Sequence, residues 1–299
     1  VPRMIWLYTP GSNLSRIEKA LNLPVDCLIL DLEDSIPANE KKNSREKLSQ
    51  ILKKYPIRII EVGVRINGHE TEYEEEDIEK LIPLNPDFIV IPKIENEQDL
   101  NDTINKISKV ESHSALEGGN IKIFCIIETA KAIMNLEKIV FSHTRLNGVM
   151  FGAEDFTLDL GVERTREGKE LFYARAKIAV CCAGARKEAI DTVFPDLQDE
   201  EGLIAETKEI SSMGFTGKAI IHPSQIEPVK RGFTPSPSRL KVAKQQVNAF
   251  EEALGRGIAA VSVNGKMVDF PVYERAKKMV ALSENIEKLK DQLIKEGKG

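Results

Sequence analysis

Seven apolar segments, each running out into polar residues able to do chemistry, constrain the fold of this chain more than any other feature. They read CLILDLEDS (27–35), IIEVGVRIN (59–67), FIVIPKIE (88–95), IKIFCIIET (121–129), LNGVMFGAED (146–155), AIDTVFPD (189–196) and GKAIIHPSQ (217–225). Strands of a parallel sheet are buried on both faces, so they read as continuous Val/Ile/Leu runs rather than as alternating ones. Between them lie stretches with helical period: in NEKKNSREKLSQILKKY, Leu48, Ile51 and Leu52 fall on one face. IWLYT (5–9) adds a strand at the start, and helices are expected at Ser15–Leu21 and near 96–110, 130–140, 168–187 and 200–212. Eight strand–helix units in order predict an α/β fold, a (β/α)8 TIM barrel, whose chemistry gathers at the C-terminal ends of the strands. The pattern is that of an enzyme.

A length of 299 residues suits one such barrel, which commonly takes about 250 residues, plus an appendage. The boundary is expected at FTPSPS, giving a catalytic barrel over 1–232 and a C-terminal extension over 233–299. In the extension, SRLKVAKQQVNAFEEAL reads as a helix capped by Ser238. GIAAVSVNGKMVDF reads as a hairpin turning at Asn264-Gly265, and a closing helix begins at Pro271. A helix–hairpin–helix of this size cannot bury both hairpin faces alone, so it is expected to serve as a lid over a barrel mouth, its own or a neighbour's. Ile286, Leu289 and Leu293 give the last helix a short near-heptad stripe, expected to pack on its own barrel because a sustained coiled coil needs about three or more heptads.

A net charge of −5 arises from interspersed Lys/Arg and Asp/Glu, with no basic block to follow a phosphate backbone, so nucleic acid is not expected as a partner. No apolar run reaches the roughly 20 residues that span a bilayer. The expectation is a soluble protein without membrane association, cytoplasmic, with the mitochondrial matrix left open because Val1 is not an initiator Met. Cys27, Cys125, Cys181 and Cys182 have no metal-ligand spacing and read as buried filler in a reducing compartment. The acidic run TEYEEEDIEKLI reads as a solvated helix start.

The chemistry is best located at Glu128 and Asp155, each placed one or two residues past an apolar strand, on adjacent strands 5 and 6. Two carboxylates without a nearby His suit a hard divalent ion such as Mg²⁺, which keeps waters and takes further ligands from substrate oxygens. Helix capping is the competing role, since each precedes a helical stretch. Arg65, ending strand 3, reads as a fork for a substrate carboxylate or as the partner of Glu33 or Asp34 from strand 2. Lys93 is an inward charge or a structural partner. His222, before Pro223, is expected to make a structural hydrogen bond, and His69, His113 and His143 form no ligand set.

LYTPGS, LILDLEDS, VRIN, VIPKIE, IIETA, GAEDFTLDLG, ELFYAR, MGFTGKAIIHPSQI and VSVNGKMVD follow one motif order along nearly the whole chain. In that order the chain resembles the citrate lyase beta subunit and citrate lyase beta-like branch of the HpcH/HpaI aldolase superfamily. The resemblance implies a usually trimeric (β/α)8 barrel that makes or breaks a C–C bond between a 2-oxo acid and the enolate of an acyl thioester. It implies Mg²⁺ on Glu128 and Asp155, the carboxylate of the 2-oxo acid on Arg65, and Glu33 and Asp34 behind the metal's waters. It also implies Asp269, from a neighbouring subunit's lid, as the acid that handles the proton at the enolate carbon. The thioester is carried by CoA or by an acyl carrier protein. Rival readings are malate-synthase-like or malyl-CoA thioesterase activity, aldol chemistry on a free 2-oxo acid, and a non-catalytic subunit of a lyase complex. The resemblance breaks at Met4-Ile5, where relatives carry an Arg-Ser or Arg-Ala pair that helps hold the thioester. Arg3 stands one place early and could compensate only through a register change or a bulge.

Overall fold

The computed structural model describes residues 3–56, 58–114, 116 and 118–295, with side chains as far as Glu284. Eight parallel strands close into a barrel in chain order: β1 Ile5–Pro10, β2 Cys27–Asp31, β3 Glu61–Arg65, β4 Phe88–Ile91, β5 Lys122–Ile127, β6 Leu146–Phe151, β7 Glu188–Asp191 and β8 Gly217–Ile220. Helices α1 Leu14–Ala20, α2 Lys41–Lys54, α3 Tyr73–Leu81, α4 Glu97–His113, α5 Ala130–Ser142, α6 Ala153–Leu160, α7 Phe172–Ala185, α8 Glu200–Met213 and α9 Ile226–Phe233 follow the successive strands. The chain divides into two compact units, one of residues Arg3–Lys230 and a second that begins at Arg231.

Strand periodicity decides what fills the barrel. Alternate residues of each strand point inward, and Trp6, Cys27, Ile29, Phe88, Val90, Phe124, Ile126, Met150, Ile190 and Ala219 form one buried interior cluster. At its heart Trp6 meets Phe88 and Phe124 edge to face at 5.2 and 4.8 Å, an arrangement that adds about 0.5–1.5 kcal/mol per pair beyond area burial. Gly63 makes room for this packing: a Cβ there would lie 2.2 Å from the Phe88 ring.

The same alternation continued towards the C-terminal ends brings Tyr8, Asp31, Arg65, Glu128 and Thr192 to the mouth. Towards the other end it brings Glu61, Lys122 and Glu188. Arg3 closes that lower end: its Nε donates to Glu61 Oε2 at 2.8 Å, and it also pairs with Glu188. β1 pairs from Ile5↔Lys218 on β8 and runs in unbroken register with β2 from Trp6↔Cys27 to Pro10↔Asp31, and the contacts with Glu61 and Glu188 keep Arg3 at the lower end. At about 3.3 Å per residue, positions 3–5 lie roughly 10–16 Å below Tyr8. The Met4-Ile5 departure therefore falls at the floor of this barrel and leaves the mouth untouched.

The acidic run 71–82 opens α3 with Glu72, Glu75, Glu76 and Glu79 exposed as expected, and departs from a solvated state at two positions. Glu74 and Asp77 are buried; Glu74 accepts from Thr103 and pairs with Lys106, and Asp77 accepts from Arg45 at 2.6 Å and from Asn67. Helix periodicity turns those two of the six acids inward, where cations from the flanking helices meet them.

In the second unit, α10 (Pro237–Leu254) is capped by Ser236 rather than Ser238, with Pro237 in the first turn, where its missing N–H costs nothing. The hairpin strands β9 (Val261–Val263) and β10 (Lys266–Val268) pair antiparallel around Asn264 and Gly265, at φ 52° and 74°. Both values are the left-handed conformation a two-residue hairpin turn requires. Phe250, Val268 and Tyr273 form this unit's own core, with Phe250 and Tyr273 stacked at 4.8 Å. The last helix, α11, runs Phe270–Lys295; the side chains of Ile286, Leu289 and Leu293 lie outside the described residues.

Candidate active site at the barrel mouth

A cavity of about 440 Å³ opens among the C-terminal ends of the strands, lined by Tyr8, Asp31, Asp34, Arg65, Glu128, Gly152, Asp155 and Thr192 among others. Glu128 stands one residue beyond β5, in phase with inward Phe124 and Ile126, and is buried. Gly152 gives it space: a Cβ there would lie 2.6 Å from the Glu128 Cβ and 2.7 Å from its Oε2. Asp155 is placed differently from its expected position at a strand end. It lies in the first turn of α6, which starts directly after β6, so a helix N-terminus presents it to the cavity. Helix capping does not occupy Glu128; the cap of α5 is Thr129, whose side chain accepts from Ala132 N–H.

Arg65 adopts the partner role more fully than expected. Its Nε and Nη2 donate to Asp31 Oδ1 and Oδ2 at 2.6 and 2.8 Å, a two-point fork, while Nη1 reaches Asp34 Oδ2 at 3.3 Å. Glu33 Oε2 lies 2.8 Å from Nη1, yet without hydrogen-bond geometry. The guanidinium also lies over the Tyr8 ring at 5.0 Å. Asp31, the principal partner, was not singled out from the sequence, although it shares the inward phase of Cys27 and Ile29. Of the five N–H groups an arginine carries, two remain outside these three hydrogen bonds.

Lys93 joins the carboxylates. Its ammonium pairs with Asp155 and stands 3.7 Å from Glu128 Oε1 and 3.9 Å from Glu33 Oε1, and its backbone N–H donates to Glu128 Oε1 at 2.8 Å. Burial pushes the Glu128 carboxyl up to about 7, opposed by Lys93 and reinforced by Asp155. Burial likewise pushes Glu33 up to about 8, with Arg65 opposing and Asp34 and Glu128 adding to the rise. Asp31 goes the other way: burial would raise it, but the Arg65 charge and hydrogen bonds outweigh burial and hold it low. The mouth thus gathers five carboxyl groups, Asp31, Glu33, Asp34, Glu128 and Asp155, around two cations, Arg65 and Lys93.

This donor set fits a hard cation. It is all oxygen, and Glu128 and Asp155 converge on a point already marked by a positive charge. No cluster of three or more Asp, Glu, His or Cys among the described residues encloses an ion alone. Two carboxylates with positions left for water and substrate are the arrangement Mg²⁺ accepts. His222 is exposed and accepts from Ser224 N–H, a local cap away from this chemistry. Asp269 belongs to the second unit, where its Oδ1 accepts from Val272 N–H at 3.1 Å at the start of α11.

The closed barrel gathers this carboxylate-rich mouth at the C-terminal ends of its strands, where (β/α)8-barrel enzymes carry their chemistry. The model of the HpcH/HpaI aldolase/citrate lyase family matches residues 4–223. The mitochondrial citramalyl-CoA lyase of Rattus norvegicus is 32% identical over 296 residues, covering 96% of this chain and 87% of that protein. Citrate lyase subunit beta of Escherichia coli K12 is 34% identical over 282 residues, covering 94% and 93%. Among solved structures, CitE of Mycobacterium tuberculosis in complex with magnesium, acetoacetate and coenzyme A superposes with a TM-score of 0.80 at 27% identity, covering 95% and 99%. The chain belongs to the HpcH/HpaI aldolase/citrate lyase family. Among the described residues no helix is long and apolar enough to cross a membrane.

Proposed function

We propose that this chain is a Mg²⁺-dependent lyase that cleaves, or in reverse forms, a 3-hydroxy-acyl thioester of the citryl, citramalyl or malyl type. The products of cleavage are a 2-oxo acid and an acetyl thioester. The observation that carries the reading is the meeting of Glu128 and Asp155 with the Arg65 guanidinium in one cavity of about 440 Å³. Glu128 and Asp155 hold Mg²⁺, which supplies Lewis-acid polarisation of the 2-oxo group when bound. Arg65, fixed from behind by Asp31 and Tyr8, binds the carboxylate of the 2-oxo acid with its remaining N–H groups. Glu33 and Asp34 orient the metal's waters. The two relatives named above act on citramalyl-CoA and in citrate lyase, which supports this substrate class, with free CoA as the thioester carrier.

The second unit acts as a lid. Asp269, offered across a subunit interface, moves the proton at the enolate carbon of the acetyl thioester. A homotrimer or larger homo-oligomer is supported by an apolar stripe on α5 and α7. Met134, Phe141, Tyr173 and Val180 there are 69, 65, 61 and 73% exposed. Phe141 adjoins Gly184, and Lys177 reaches the Met134 carbonyl, so the stripe is continuous across the two helices. Exposed apolar surface of this extent marks an interaction face.

The test is turnover of citryl-CoA, (S)-citramalyl-CoA and malyl-CoA by purified protein with and without EDTA, beside Glu128→Ala, following 2-oxo acid and free thiol separately. Metal-dependent release of oxaloacetate, pyruvate or glyoxylate supports the proposal. Thiol release without 2-oxo acid identifies a thioesterase, and turnover that survives both EDTA and Glu128→Ala refutes the site.

A further inference from the structure

Lys93 stands in the left-handed region at φ 57°. That conformation costs a residue with a Cβ roughly 1–2 kcal/mol, and such strain persists where the surroundings over-determine it. Two separate contacts do so here. The Lys93 backbone N–H holds Glu128 Oε1 at 2.8 Å, while the side chain carries its ammonium to Asp155, with Glu128 and Glu33 at 3.7 and 3.9 Å. The backbone bond orients Glu128 whether or not the side chain stays. The ammonium lies on the point where the Glu128 and Asp155 carboxylates converge.

We propose that the Lys93 ammonium is a resident counter-ion of the Glu128–Asp155 pair, which a divalent cation must displace in order to bind. This rests on the reading of those two carboxylates as the metal's holders. Cation uptake is then an exchange, one monovalent charge leaving and one divalent charge entering. The resident ammonium weakens intrinsic metal affinity while keeping the buried carboxylates compensated. A purely structural Lys93, serving to hold the carboxylates together, has the opposite consequence: its removal loosens the site and weakens the metal. The sign of the change in affinity therefore separates the two roles.

The experiment is calorimetric titration of Mg²⁺ into the metal-stripped full chain and its Lys93→Met, Lys93→Gly and Lys93→Arg variants at one pH, with thermal unfolding of each. Removing a unit charge within 4 Å of the ligands should tighten Mg²⁺ binding by about tenfold or more in Lys93→Met. Lys93→Gly, which retains the N–H donor and takes positive φ without strain, should tighten it similarly and secures the test if the Met variant folds poorly. Lys93→Arg, which keeps the charge, should stay within about threefold of the wild type. Uptake by the wild type with equal or weaker binding in both neutral variants overturns the counter-ion role alone. No uptake by any of the four proteins overturns the metal reading and this inference with it.

Discussion

Lys218 on β8 is fully buried between the barrel and α7 and α8, and its replacement by Met offers a sharp test of the energetics. Its ammonium donates to Asp191 Oδ2 at 2.8 Å, Glu206 Oε1 at 2.7 Å and the Thr192 carbonyl at 2.9 Å. Arg175 grips the same two acids, both Asp191 oxygens at 2.9 Å and Glu206 Oε2 at 3.0 Å. Two cations thus balance two carboxylates at close range, while Arg164, itself paired with Glu154, stands farther off at 4.0 Å from Glu206 Oε2. Lys218→Met leaves one negative charge in excess and the Thr192 carbonyl without this donor. Removing one partner from a buried pair costs about 3–5 kcal/mol. Adding Glu206→Gln restores neutrality, so the double variant should recover about 1–3 kcal/mol relative to the sum of the single losses. Urea unfolding followed by fluorescence reads the barrel directly, because Trp6 is the chain's one tryptophan and lies at the barrel's centre. A loss below about 1 kcal/mol for Lys218→Met, the value of an exposed pair, would refute the argument, as would strict additivity in the double variant.

The same cluster sets acid stability. Burial alone would raise Asp191 and Glu206, but Lys218 and Arg175 outweigh it and hold both below their ordinary 3.8 and 4.5. Their stabilisation is therefore complete above those values and lost as pH falls below them; a melting temperature that stays flat from pH 6 to pH 3 would contradict this. Gly152→Ala should press a methyl group onto Glu128, costing about 1–3 kcal/mol of stability and weakening Mg²⁺ binding, with unchanged calorimetric affinity as the opposing result. Val180→Glu on the apolar stripe should reduce the oligomer's mass in light scattering while leaving far-UV circular dichroism intact; an unchanged mass would remove that face as the interface.

Much of the mouth was legible in the chain because a strand has a period of two. Once FIVIPKIE and IKIFCIIET are read as strands, the residues that point inward, and those that follow them at the mouth, are fixed by alternation. Arg65 and Glu128 are marked by their places at or just past the ends of apolar runs, and alternation turns both inward. Asp31 obeys the same rule as the inward neighbour of Ile29, but Glu33 and Asp34, two and three positions on, offer the same carboxylate chemistry, and sequence alone does not rank the three. Asp155 was the reverse case. Its chemistry was evident, but its seat on the first turn of α6 was not, since GAED has no capping signature and reads equally as loop.

The sequence by itself determined the class of fold, the end of the barrel that carries chemistry, and the kinds of groups gathered there. Local period, apolar runs and turn residues are properties of neighbours in the chain, and these sufficed. Tertiary structure alone decided which charges meet. Arg65 is committed to Asp31, 34 residues away; Lys93 lies against Asp155, 62 away; Lys218 joins Asp191, 27 away. It also decided that Glu74 and Asp77 are buried and that Arg3 belongs to the barrel's floor. The physical reason is that a charge's partner depends on distance in space, which closure of the eight-stranded barrel sets and no local pattern records.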